Sequence, residues 1–366
     1  MTRSIENTYQ PVDSLAAERC IVELQRGREV VLQADSQSSA VTLVETLEQA
    51  QLQAIQRQGK CQLVLTANRA MVLGRHRDTG AAVLNLSDNT TLHTVRQLAG
   101  LATLQQSMPS AEQWQNTASS SASAGIGLAL QAHALPAVLH YAKPAGCGTV
   151  LSVTIEDALH FRPDTGALLE LSRASIPLTI AERVELVVFK ERHGAAEHVA
   201  VTVGKPDISR PVVVRLHSSC FTGDILGSLR CDCGEQLNGA IRSMASMGGG
   251  IVLYVSQEGR GIGLASKLRA YQLQEQGLDT IEANQFLGFG ADERRYQAAA
   301  TMLHSLGVSH IRLMTNNPLK IDALRGEGVD VVGRLPAHAT VNVHNARYLQ
   351  TKRERAGHMT TAESLV

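Results

Sequence analysis

The sequence predicts two domains of α/β to α+β class, and three observations carry the prediction. The chain's 366 residues exceed the roughly 250–300 at which a single hydrophobic core stops growing. Apolar strand-like runs alternate with helix-period segments in both halves. The second half opens near residue 185 on a hairpin-like pair of runs, and the seam is placed at 170–185, giving domains 1–175 and 176–366.

In the first half, "AAERCIVELQRGREVVLQAD" is an amphipathic stretch that stops at Gly27 and gives way to a strand-like run from Val30 to Leu32. Helical patterns around 40–57 and the strand-like "CQLVLTA" follow. The Ser-, Ala- and Gly-rich "SMPSAEQWQNTASSSASAG" (107–125) reads as a loop or linker, and "IGLALQAHALPAVLHYA" as a helix followed by a buried strand. The second half opens on "ELVVFKERHGAAEHVAVTVGKP", two alternating runs around a polar turn, hence a hairpin. "PVVVRLH", "GGGIVLYVSQEGRGIGL" and "HIRLMTNNPLK" are strands that open onto polar or Gly-rich loops, separated by helix-like segments at 265–276 and 293–306. Chemistry is expected at those strand ends.

Composition narrows the function. A hydrophobic fraction of 44% and a charged fraction of 19% describe a soluble globular protein. Aromatics at 3% offer no platform for stacking bases, and 34 basic residues against 34 acidic leave no footprint for a nucleic-acid backbone. A compact site for one phosphorylated small molecule remains allowed. No apolar run approaches the roughly 20 residues of a membrane span. "MTRSIENTYQPVDS" lacks the apolar centre of a signal peptide, so a cytoplasmic location and no membrane partner are expected.

Three of the six cysteines crowd into "CFTGDILGSLRCDC": Cys220, Cys231 and Cys233. In a reducing compartment such clustering favours metal ligation or catalysis over disulfides. Three thiolates on a turn-prone backbone suit zinc, and a site with three protein ligands keeps a position open for water. His217, three residues before Cys220, would close it and make it structural. "SQEGRGIGLASKLRAY" (256–271) follows a strand and carries three glycines before a helix. Its backbone N–H groups, with Arg260, Lys267 and Arg269 beside them, suit an anion. "ADERR" (291–295) sets an acid, Asp292, and bases at a helix start, and "TNNPLK" (315–320) is a strand-end loop with a lysine. His133, His140 and His160 read as packing or surface residues.

In this order, "RLHSSCFTGDILGSLRCDCGEQL", "YVSQEGRGIGLASKLRAYQLQEQGLDTIEAN", "LGFGADERR" and "LGVSHIRLMTNNPLKI" resemble the GTP cyclohydrolase II family over residues 185–358. The resemblance implies zinc held by Cys220, Cys231 and Cys233, with a bound water that attacks C8 of guanine. It implies that Tyr271 orients the water or ring, that Arg294 attacks or clamps the α-phosphate as pyrophosphate leaves, and that Asp292 is its base. Substrate contacts are implied at Arg215, Leu216, His217, Ser218, Ser219, Gln236, Glu258, Gly259, Arg260, Thr280, Thr315 and Lys320. Glu258 is suited to guanine's ring N–H and amino group. Magnesium on the triphosphate, a homodimer, and the opening step of riboflavin synthesis are likewise implied. One departure stands out: the family reads His-Ser-Glu-Cys, and this chain His217-Ser218-Ser219-Cys220.

The first half resembles 3,4-dihydroxy-2-butanone 4-phosphate synthase at "AERCIVELQRGREVVLQAD", "AGIGLALQAHALPAVLHYA" and "SVTIEDALHFR". That family's acidic metal-binding loop is replaced by "ADSQSSAVTLVETL", and its Gly-His-Thr-Glu-like motif by "TASSSASAG". Serine and alanine cannot hold magnesium, so a degenerate domain without synthase activity is expected. Two other readings compete with a GTP-opening enzyme. One is a paralogue that acts on GTP or a related purine nucleotide elsewhere in metabolism, and the other a silent regulatory partner.

Overall fold

The computed structural model describes residues 12–34, 38–75, 80–104, 108–143, 150–192, 194, 196–338, 340–355 and 357–359. The chain forms two α/β units, one of Met1–Arg162 with Leu268–Asp292, the other of Pro163–Lys267 with Glu293–Val366. The expected two-domain α/β class is what the chain adopts.

In the first unit, β1 (Val30–Gln33), β2 (Ser39–Leu43), β3 (Cys61–Thr66), β4 (Ala81–Asn85), β5 (Ala137–Ala142) and β6 (Ser152–Thr154) form one sheet in the order β4-β3-β5-β2-β1-β6. Its pairings are antiparallel except β1 with β6. The stretch at 39–43, read as the start of a helical pattern, is strand β2, and all five of its residues are buried. Burial on both faces erases the alternation by which a strand is recognised.

The linker reading of 107–125 is overturned in its last part: Ser120–Gln131 is a helix in the core of this unit. Ser119 caps it by accepting from Ala122 N. Its small residues serve close packing. A Cβ on Gly125 would stand 3.0 Å from Val41 Cγ1, so the composition that resembles a linker is what lets the helix lie against β2.

In the second unit, β7 (Leu168–Ser175), β8 (Val184–Glu191), β9 (Glu197–Gly204), β10 (Val212–Ser218), β11 (Gly249–Val255), β12 (His310–Met314) and β13 (Asp330–Leu335) are ordered β13-β12-β10-β11-β9-β8-β7. The first four run parallel, and β9, β8 and β7 continue antiparallel, including the expected β8–β9 hairpin. Side chains alternate across this sheet. Val212, Val214 and Leu216 join a core with the helices Gln297–Ser305 and Pro318–Gly326, while Val213 joins another with the helix Cys233–Ser246. Parallel strands covered on both faces present their carboxyl ends as the open place for a ligand. Here those ends are Ser218, Val255 and Met314.

Candidate active site

The loop leaving β10 carries Cys220, and the turn Phe221–Ile225 brings the chain back to Cys231 and Cys233, where the helix Cys233–Ser246 begins. The three sulfurs all lie within 4.8 Å of one another, with Cys220 and Cys231 Sγ 3.7 Å apart. Zinc–sulfur bonds of about 2.3 Å in tetrahedral array place sulfurs about 3.8 Å apart, so the donor set fits zinc in number, softness and span. Gly223 makes the room: a Cβ there would stand 2.8 Å from Cys231 Sγ and 3.0 Å from Cys220 Sγ.

Contacts from the Cys231 and Cys233 thiols hold the Cys220 thiol far below its ordinary value, helped by the Lys267 ammonium at 3.0 Å. Cys220 in turn raises both neighbours. Gly223 N also donates to Cys220 Sγ, at 3.3 Å.

His217, weighed as a fourth ligand, is not gathered into the sulfur cluster. Its Nε2 lies 3.0 Å from both carboxylate oxygens of Asp224, and burial lowers its basicity. Asp224 also accepts from Cys220 N at 2.9 Å and from the Tyr254 hydroxyl at 3.0 Å, and Tyr254 stacks on the His217 ring. This buried carboxylate fixes the backbone of a metal-ligand residue, and sequence reading passed over it. Asp224→Asn leaves one acceptor oxygen where Cys220 N, the Tyr254 hydroxyl and His217 Nε2 meet two, so a loss of about 1–3 kcal/mol is expected. Thermal unfolding and zinc content would both fall.

Lys267, read from sequence as part of an anion-binding loop, turns inward. Besides Cys220 it donates to Thr222 Oγ1 at 2.9 Å and to Glu258 Oε1 at 2.8 Å. Glu258 further accepts from Phe221 N and Gly259 N. Arg269, from the same reading, pairs with Glu45 in the first unit at 2.6 Å. The loop after β11 does have unusual backbone: Gly259, Arg260 and Gly261 have φ of 62°, 63° and 90°. For Arg260 the left-handed region costs roughly 1–2 kcal/mol. Its carbonyl accepts from Glu293 N at 3.0 Å, and Gln257 Oε1 accepts from Arg295 N at 3.2 Å, which ties the loop to the 293–295 segment.

Arg215 is buried on β10 and donates to Met314 O and Gln236 Oε1. Gln236 donates to Asp232, which also receives Lys352 Nζ at 2.7 Å. Lys320 Nζ donates to Leu216 O at 2.9 Å, and the Thr315 hydroxyl accepts from Asn317 N. Ser219 Oγ accepts from Gln257 N at 3.2 Å, and Ser218 Oγ from Gln257 Nε2 at 3.0 Å. Thus Arg215, Leu216, His217, Ser218, Ser219, the three cysteines, Gln236, Glu258, Gly259, Arg260, Thr315 and Lys320 lie on β10 or beside the ends of β10, β11 and β12. Arg294 belongs to the same unit, its guanidinium 6.0 Å from the Tyr296 ring. Tyr271, Thr280 and Asp292 fall on the Leu268–Asp292 stretch, which belongs to the first unit.

Residues 170–336 match the family model of GTP cyclohydrolase II. The chain is 39% identical to GTP cyclohydrolase-2 of Azospirillum brasilense, over 94% of each protein. It is 45% identical over 206 residues to the riboflavin biosynthesis protein RibBA of Phocaeicola vulgatus, spanning 56% of this chain and 51% of that one. Among solved structures, the two-domain 3,4-dihydroxy-2-butanone 4-phosphate synthase RibBX of A. baumannii aligns at a TM-score of 0.29 and 16% identity, over 89% of this chain and 99% of that one. So low a score carries no argument.

Proposed function

The chain belongs to the GTP cyclohydrolase II family, and on that premise we propose that it hydrolyses GTP at the cysteine centre, as the opening step of riboflavin synthesis. Formate and pyrophosphate leave, and a diamino-ribosylaminopyrimidinone 5′-phosphate remains. The observation that carries the reading is the sulfur triad at the carboxyl end of β10, set beside Glu258 and the left-handed Gly259-Arg260-Gly261 turn. Cys220, Cys231 and Cys233 would hold zinc, which would supply a Lewis acid and lower the pKa of a water toward neutrality.

The protein's own groups do the rest. Release of C8 as formate requires both of its bonds to nitrogen to break, so the base must stay in one pose through two hydrolytic cleavages. Glu258 is held by Lys267 and Gly259 N on Oε1 and by Phe221 N on Oε2; one lone pair remains on Oε2, so reading guanine's ring N–H and amino group together requires one of the Oε1 contacts to give way. Asp224 and His217 hold the Cys220 backbone in place beneath it. Tyr271 is assigned to orient the water or ring. Arg294 is assigned to the α-phosphate with Asp292 as its partner. A guanidinium, which stays cationic at any ordinary pH, is better suited to clamping charge there than to attacking phosphorus. Arg215, Gln236, Thr280, Thr315 and Lys320 are assigned to the nucleotide, with magnesium on its triphosphate. A homodimer and an N-terminal unit without synthase activity complete the proposal. Among the described residues no helix is long and apolar enough to cross a membrane.

Ser219 favours a second reading, a related purine nucleotide as substrate, because a hydroxyl stands where the family has a carboxylate. Formate and pyrophosphate are to be measured on zinc-quantified protein with magnesium and GTP, then with ATP, ITP and XTP, beside Cys231→Ser. The proposal expects both products from GTP and none from the variant. Products from another nucleotide alone would select the second reading, and formate undiminished in Cys231→Ser would overturn the site.

A further inference from the structure

The family roles of Tyr271, Thr280 and Asp292 place three working residues on the stretch Leu268–Asp292, and this stretch is built into the first unit. Its helix Thr280–Phe286 ends with carbonyls that have no partner within the helix. Thr66 at the end of β3, with Asn68 and Arg69 of the helix Ala67–Val72 that follows, meets the carbonyls at this helix end and in the turn after it. Thr66 Oγ1 donates to Gly288 O at 2.7 Å, Asn68 Nδ2 to Phe289 O at 2.7 Å, and Arg69 Nη1 to Phe286 O at 2.9 Å.

Arg69 is 1% exposed. Its remaining nitrogens cap a second helix, Leu92–Ala99, by donating to Gln97 O and Leu98 O, and its guanidinium lies 4.4 Å from the Phe286 ring centroid. One cation thus bridges two helix carboxyl termini, where positive charge is favoured. Glycines record how close the approach is. A Cβ on Gly288 would stand 2.9 Å from Thr66 Oγ1, and one on Gly100 would stand 3.3 Å from Phe286 O. At its other end the stretch is held by the Arg269–Glu45 pair, and Glu45 also accepts from Leu135 N.

We propose that Thr66, Asn68, Arg69 and Glu45 are positioning residues for the cyclohydrolase reaction, and that the first unit serves as the scaffold of the 268–292 segment. The functional half of the proposal rests on the family roles of Tyr271, Thr280 and Asp292; the anchoring itself does not. A unit that has lost its own chemistry would then be retained because its β3 end shapes a segment the other activity uses.

The test uses the full chain with Thr66→Val, Thr66→Ser and Asn68→Ala, leaving the buried Arg69 intact so that folding is preserved. Amide hydrogen exchange is read over 280–292 without substrate, together with zinc content and the separate kcat and KM for GTP. In Thr66→Val and Asn68→Ala, exchange over 280–292 is expected to quicken about tenfold, as for one lost buried hydrogen bond. The kcat is expected to fall about ten- to a hundredfold through misplacement, with zinc content unchanged. Thr66→Ser, which keeps the hydroxyl, is expected to restore both. Unchanged exchange over 280–292, or exchange quickened uniformly along the chain, would overturn the anchoring. Quickened exchange with kcat intact would overturn the positioning role. Quickened exchange in a chain whose parent releases no formate would support the anchoring and overturn the reaction assigned to it.

Discussion

Gly223→Ala is expected to strip the protein of its metal. The added methyl would stand 2.8 Å from Cys231 Sγ, 2.9 Å from Cys233 Cβ and 3.0 Å from Cys220 Sγ, inside all three contacts at once. Gly223 lies outside the positive-φ glycines, so alanine suits the backbone and the clash is with the three cysteine side chains. Relief requires at least one cysteine to move, which breaks the span that fits zinc. Metal affinity should fall by about 10–100-fold or more, the scale at which groups behind the ligands act, and formate release should fall with it. Gly239→Ala is the control. It lies within the helix Cys233–Ser246 with nothing within 4 Å of a Cβ, and should raise stability by up to about 1 kcal/mol. Equal zinc content in the two variants would refute the reading of Gly223.

Lys267→Met should act on two parts of the site together. The side chains of Lys267 and Glu258 are 10% and 14% exposed, and their contact of 2.8 Å is a nearly buried pair. Removing one partner of such a pair costs about 3 kcal/mol. Three thiolates around a divalent zinc would leave a net negative charge, and Lys267 Nζ lies 3.0 Å from one of them, Cys220 Sγ. Zinc should therefore bind more weakly, while Glu258, no longer held by the ammonium, should bind guanine less well and raise KM for GTP. Lys267→Arg should not restore the parent, because a planar fork cannot fit the place of a compact ammonium that meets a thiolate, a hydroxyl and a carboxylate. Zinc titration and steady-state kinetics with GTP check both effects, and a KM unchanged in the methionine variant would contradict the link to Glu258.

What the sequence disclosed follows from what is local in it. The Cys220, Cys231 and Cys233 spacing is short, so the triad is legible from chemistry alone, and the strand ends of β10, β11 and β12 follow from apolar runs that stop at polar loops. The contacts of Lys267 are not legible locally, because its neighbours in sequence are a Gly-rich turn and other cations, whereas its neighbours in space include Cys220 and Glu258. Asp224 escaped notice because an aspartate in a turn ordinarily faces water; only the fold places His217, Tyr254 and Cys220 N around it. Ser120–Gln131 was hidden by composition, since the small residues that mark a linker also mark a helix packed tightly on a sheet. The capture of 268–292 by the first unit rests on contacts such as Thr66 to Gly288, 222 positions apart, which no local pattern announces.

The most direct measurement of the central claim is X-ray absorption at the zinc edge on purified full-length protein, before and after addition of GTP. An open catalytic centre made by Cys220, Cys231 and Cys233 predicts three sulfur neighbours at about 2.3 Å and one lighter atom at about 2.0 Å. Four sulfur neighbours, or three sulfurs with the ring signature of a coordinated histidine, would make the site a closed structural one and contradict the account.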